Sequence, residues 1–158
     1  MKEVQLHGIL TFRIPQNWVE ETEPNGFGVY YLAAPDSGTL RVNILSFRKP
    51  GCVNQKSYAL ALGKALTPGN VEVLANGHLL RIDSLPAEEE GTALLTRCWQ
   101  LARVYPPDEV RLATFTHTLL TKSINTRGAQ DELGSIDQEV RRASFIDLSP
   151  HEVRERMD

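Results

Sequence analysis

Cysteine is scarce in this chain. Cys52 and Cys98 are the two in 158 residues, too few for a disulfide framework, and no Cys-x-x-Cys pair exists to hold zinc or run redox chemistry. Two free thiols are expected. Long apolar runs are missing: none approaches the roughly 18 residues that a membrane helix needs. The opening MKEVQLHGIL carries Glu3 and His7 where a signal peptide would be apolar, so no leader is expected and the cytoplasm is the expected compartment. Net charge is small, −3, which points away from nucleic acid and from anionic membrane surfaces as partners. The chain has no internal repeat, low-complexity tract or linker. It reads as a single domain over 1–158, with a core over 1–148 and a short helix over 149–158.

Catalytic signatures are missing as well. His7, His78, His117 and His151 show neither HxH nor HExxH spacing, so no metal site is expected. Gly26-Phe27-Gly28 lacks the third glycine and the following helix of a dinucleotide loop. There is no Walker loop and no G-x-S-x-G. Glu88-Glu89-Glu90 reads as a solvated loop rather than a cation clasp. No catalytic residue and no cofactor is assigned.

What the sequence does contain is a long hairpin from Thr92 to Leu120. Thr92–Val104 and Arg111–Leu120 read as two antiparallel arms around Tyr105-Pro106-Pro107-Asp108, since proline cannot continue a central strand. In the second arm Ala113, Phe115, His117 and Leu119 share one face, and Thr114, Thr116 and Thr118 the other. In the first arm both faces carry apolar residues, which calls for cover on both. Before the hairpin come a strand over Val4–Ile14, a polar turn over Glu20–Asn25, and strands over Phe27–Ala34 and Thr39–Phe47. A helix is expected over Asn54–Leu66. Short strands then flank Asn76-Gly77, the strongest short hairpin signal, and Ser84–Gly91 reads as an exposed loop. After the hairpin, a helix is expected over about Gln130–Ser144. Its apolar stripe is Leu133, Ile136, Val140 and Ala143, with Asp137, Glu139, Arg141 and Arg142 solvated. Ser149-Pro150-His151-Glu152 is a capping box that starts the last helix. The fold class is α+β: an αβα sandwich around a central antiparallel sheet.

Three segments carry a resemblance. They are Phe12-Arg13-Ile14-Pro15-Gln16-Asn17-Trp18, the strand Val110–Thr116, and the helix closing on Ala143-Ser144-Phe145. Together they resemble the superfamily of the photosystem II protein PsbP, the Ran-binding nucleotide-release protein of the nucleus and the bacterial DcrB-like proteins. The resemblance implies an αβα sandwich and a binding role rather than catalysis. One branch of the DcrB-like proteins acts as cytoplasmic chaperones for secreted bacterial toxins, so it also implies an adaptor- or chaperone-like role with a protein partner.

Two functional expectations follow. In the first, Arg97, Trp99 and Arg103 share one strand face and, with Tyr31 and Arg41, form a partner-binding surface, since arginine and tryptophan are enriched at hot spots. In the second, His117 and Trp99 line a pocket that holds a small molecule or supports catalysis. Cys98 and His117 lie on paired strands, so a thiol–imidazole contact depends on register.

Overall fold

The computed structural model describes residues 1–54, 56–58 and 71–158. The opening segment is two strands, not one. β1 (Lys2–Leu6) and β2 (Leu10–Ile14) pair antiparallel. His7 and Gly8 both take positive φ, 52° and 62°, and Ile9 donates to the Leu6 carbonyl. That is the mirror-image turn that right-handed strand twist favours; His-Gly carries its signal far more weakly than Asn-Gly. Pro15 then ends β2, and Trp18 is buried at its foot.

The stretch read as a polar turn contains β3 (Val19–Thr22), an edge strand with no buried residue. Such a strand has no apolar alternation to reveal it, and Glu20 and Glu21 protect the edge from further pairing. β4 (Gly28–Tyr31) and β5 (Thr39–Arg48) follow as expected. Of the helix expected over Asn54–Leu66, Lys56–Tyr58 are helical, and the remainder lies outside the described residues. β6 (Val71–Val73) and β7 (Leu79–Glu89) flank the Asn-Gly turn. β7 runs through the segment read as a loop and carries Pro86 with it. It reverses at Glu90-Gly91, where both residues have positive φ. β8 (Thr92–Tyr105) and β9 (Glu109–Leu120) are the two long arms, paired as expected from Leu94↔Leu120 to Tyr105↔Glu109.

A 3-10 turn at Thr121–Ser123 leads to α1 (Arg127–Arg142). The helix begins one turn before its apolar stripe, because the Thr126 hydroxyl accepts from the Ala129 amide and so caps it. β10 (Ser144–Phe145) adds to β2, and α2 (Pro150–Met157) carries the expected capping box. α2 is not merely a solvated tail. Val153 is fully buried, and Arg156 donates to the Gly8 carbonyl at 2.6 Å.

The chain is an α+β sandwich. The large sheet has seven strands in the order β3-β4-β5-β9-β8-β7-β6, and β1, β2 and β10 make a second sheet of three. α1 packs on β2 and β8. The main core gathers Phe12, Ile14, Trp18, Val42, Trp99, Phe115, Ile136 and Val140 between these layers. The other face of the large sheet carries a smaller cluster of Cys52, Tyr58, Leu79, Ala102, Val104 and Val110.

His78, just before β7, is buried and edge-on to Phe145 of β10. Burial, with the Arg103 charge adding to it, holds its imidazole below the usual histidine range. The unfolded chain therefore binds a proton that the native chain resists. The stability tied to His78 is complete above about pH 6.5, the ordinary histidine value, and is lost as pH falls through its lower native one. Thermal melts from pH 7 to pH 5 should show a shallower loss in His78→Phe than in the parent. Parallel curves would mean that His78 does not contribute to the acid limb.

Candidate functional site

Strand pairing decides which side chains meet. Arg97 is opposite His117 and Trp99 opposite Phe115 on β8 and β9, while Leu40 of β5 flanks His117 on its other side. Ile82 and Ser84 of β7 pair with Trp99 and Arg97. These residues share one face of the sheet, and α1 lies across it. Between them opens a cleft of about 440 Å³, floored by Trp99, His117, Leu95 and Leu119 and walled by Leu133, Gly134 and Asp137 of α1, with Arg97 and Ser84 on its β7 side. That volume is within the range of small-molecule sites.

Trp99 is 1% exposed. Its indole N–H donates to Asp137 Oδ1 at 2.9 Å, and Arg141 Nε donates to Oδ2 at 2.8 Å. Arg141 also donates to Glu72 at 2.8 Å. Its hydrogen bonds to Asp137 and then Glu72 hold the guanidinium above its ordinary pKa. The Asp137 carboxylate is thus spoken for on both oxygens, and it is a structural partner of the core tryptophan rather than a solvated helix charge. Glu139, read as solvated, is buried too and pairs with Arg142 at 3.2 Å.

His117 is fully buried. Its Nε2 meets Glu132 Oε1 at 2.6 Å, and its ring stacks on Trp18 at 18° between planes. Glu132 also accepts from the Ser37 hydroxyl at 3.1 Å and the Gly38 amide at 3.2 Å. One carboxylate therefore ties the β4–β5 turn, β9 and α1 together. Gly38 is needed for this: a Cβ there would collide with the imidazole. His117 Nδ1 has no partner among the described residues.

Arg97 is different from its neighbours. It donates to Ser84 Oγ at 3.1 Å and lies 6.0 Å from the Trp99 ring centroid, with no carboxylate in ion-pair range among the described residues.

The five residues expected to form one surface do not gather. Arg97 and Trp99 do, but Trp99 is core and offers no exposed anchor. Arg103 is further along the same face, stacked 4.8 Å over Tyr105 and 3.5 Å from Asp147. Tyr31 and Arg41 lie on the opposite face, because they align with Thr39 and Thr116 rather than with Leu40 and His117. They pair there with Glu21 and Glu23. Side chains alternate along a strand, so a difference of one residue in register changes the face. The same rule separates Cys98 from His117. Cys98 is opposite Thr116 and points away from the imidazole, and burial raises its thiol pKa. Glu132, Asp137, Gly134 and the Ser37-Gly38 turn carry no sequence signal linking them to His117 or Trp99; helix packing brings them there.

No family model matches this chain, and no curated protein matches it. Solved structures do. A protein of Bacteroides thetaiotaomicron VPI-5482 superposes with a TM-score of 0.61 at 11% identity over 92% of this chain. This chain spans about half of that protein's length, 48%. LpqN of Mycobacterium tuberculosis, a protein involved in cell envelope biogenesis, superposes with a TM-score of 0.61 at 13% identity, covering 87% of this chain and 83% of LpqN. At such identities the likeness is one of fold, and the chain shares the α+β sandwich architecture of these two proteins.

Proposed function

We propose that this chain is a non-catalytic binding protein that works through the cleft between β7–β9 and α1. The observation that carries the reading is the cleft itself: about 440 Å³ beside the two residues, Trp99 and His117, that the sequence singles out. A second feature supports it. Gly134 lies inside α1 on the cleft wall, and a Cβ there would meet nothing within 4 Å. A mid-helix glycine costs about 1 kcal/mol against alanine, so the chain gives up helix stability where a side chain would narrow the opening. Features that break a local rule without a packing reason cluster at functional sites.

The chemistry of the walls favours binding over turnover. His117 is clamped by Glu132 and Trp18, and Cys98 faces away. The resemblance to the PsbP-like and DcrB-like proteins, which implies a binding role, points in the same direction. The buried state of Trp99 argues against the open arginine–tryptophan surface as the point of engagement, and for occupancy of the cleft beside it.

Gly134→Phe tests the reading, with Gly134→Ala as its control. Gly134→Ala should raise the melting midpoint slightly and leave the cleft open. Gly134→Phe should fold as well as the parent and fill the cleft. Nile red, a neutral apolar dye, should bind the parent and Gly134→Ala saturably. Its affinity should fall at least tenfold in Gly134→Phe. Equal dye binding in all three proteins would remove the cleft from the argument.

A further inference from the structure

Resting on that reading, we infer that the ligand of the cleft is a small amphiphile with one anionic head, its apolar body held against Trp99, Leu95, Leu119 and Leu133 and its head paired with Arg97.

Charge around the cleft is already settled everywhere except at Arg97. Asp137 accepts from Trp99 and Arg141, Arg141 is shared with Glu72, and Glu132 is bound by His117, Ser37 and Gly38. These groups answer one another inside the protein. A cationic ligand would find no carboxylate free of a partner among the groups just named. The Arg97 guanidinium, by contrast, spends one N–H on the neutral Ser84 hydroxyl and keeps donors for a planar oxyanion, which its fork matches in geometry.

Position agrees with charge. Ser84 and Arg97 also border a neighbouring hollow of about 320 Å³, which they share with Ile82 and with Glu72 and Asp83, two carboxylates already paired with Arg141 and Arg81. Arg97 thus stands between two openings, where a head group keeps water on one side while its apolar body enters the other. Across the strand pair, the unpartnered His117 Nδ1 belongs to a fully buried ring that lines the cleft. The cleft's lining mixes the apolar side chains of Leu95, Leu119, Ile124 and Leu133 with the polar ones of Arg97, Gln130 and Asp137.

The test compares octanoate with octanol and octylamine by titration calorimetry on the full chain. Octanoate should bind at about one molecule per chain, roughly tenfold or more tighter than octanol, as a charge-assisted hydrogen bond provides. Arg97→Gln should bring octanoate down to the octanol affinity and leave octanol unchanged. Equal affinity for octanoate and octanol in the parent would overturn the anionic head while sparing the cleft, since both would still be lost in Gly134→Phe. Tighter binding of octylamine would overturn it too. If none of the three binds while Nile red still distinguishes Gly134→Phe, the amphiphile class is wrong and the cleft reading stands. If Nile red fails to distinguish them as well, both fall.

Discussion

Arg111→Ala should be among the most damaging single truncations in the described chain. Arg111 has no exposed surface. Its Nε donates to Glu109 at 2.8 Å, and its other nitrogens donate to the Ile146 and Leu148 carbonyls. The guanidinium lies 3.7 Å from the Tyr105 ring centroid. One side chain therefore satisfies the segment that joins β10 to α2, and it neutralises a carboxylate that is itself buried. Removing it leaves the buried Glu109 without its cation, with the Ser46 hydroxyl as a remaining partner, and strands two carbonyls. Breaking a buried pair on one side costs about 3–5 kcal/mol, which for a chain of this length lowers the melting midpoint by roughly 10 °C. Arg111→Lys keeps the charge but cannot reach all the partners at once, so it should fall between. The Glu109→Gln exchange, made in the Arg111→Ala background, should recover part of the loss, since the orphaned charge is gone. Denaturant melts of the three variants decide the matter. A loss below 1 kcal/mol in Arg111→Ala would show that water reaches the site.

The second large effect separates two neighbours that share a strand face. Trp99→Ala should cost about 3–5 kcal/mol, the usual range for emptying a buried aromatic site. It also leaves Asp137 with one partner. Arg97→Ala should change stability by no more than about 0.5 kcal/mol, because the side chain is part-exposed and its one side-chain hydrogen bond among the described residues is to a neutral hydroxyl. Octanoate affinity should show the reverse order of interest: reduced to that of octanol in Arg97→Ala at nearly full stability. Should Trp99→Ala melt with the parent, Trp99 would not belong to the core, and the partner-binding surface would regain its anchor. Should Arg97→Ala unfold the protein, its role would be structural and the anionic latch would lose its footing.

How much of this could be read along the chain depends on distance in sequence. The long hairpin was legible because alternation over Ala113–Leu119 and the proline turn are local signals, and the Asn-Gly turn and the capping box at Ser149 are local as well. The strand Val19–Thr22 was not, since an exposed edge strand has no buried face to impose a period. The break at His7-Gly8 was missed because His-Gly carries the turn signal more weakly than Asn-Gly, and the turn at Glu90-Gly91 fell inside a stretch read as a loop, which hid the strand over Leu79–Glu89.

For the site the division is sharper. His117 and Trp99 stood out in the sequence as polar-tipped side chains on apolar faces. What surrounds them did not, because Glu132, Asp137 and Gly134 belong to a helix that follows in sequence but meets the sheet only by packing. Parity along a strand put Arg97 and Trp99 on one face. Register between strands, which depends on the whole sheet, sent Tyr31, Arg41 and Cys98 to the other. The sequence by itself determined the antiparallel core and the residues with chemical potential. The tertiary structure alone decided which charges are already answered within the protein, and left Arg97 at the mouth of an open cleft.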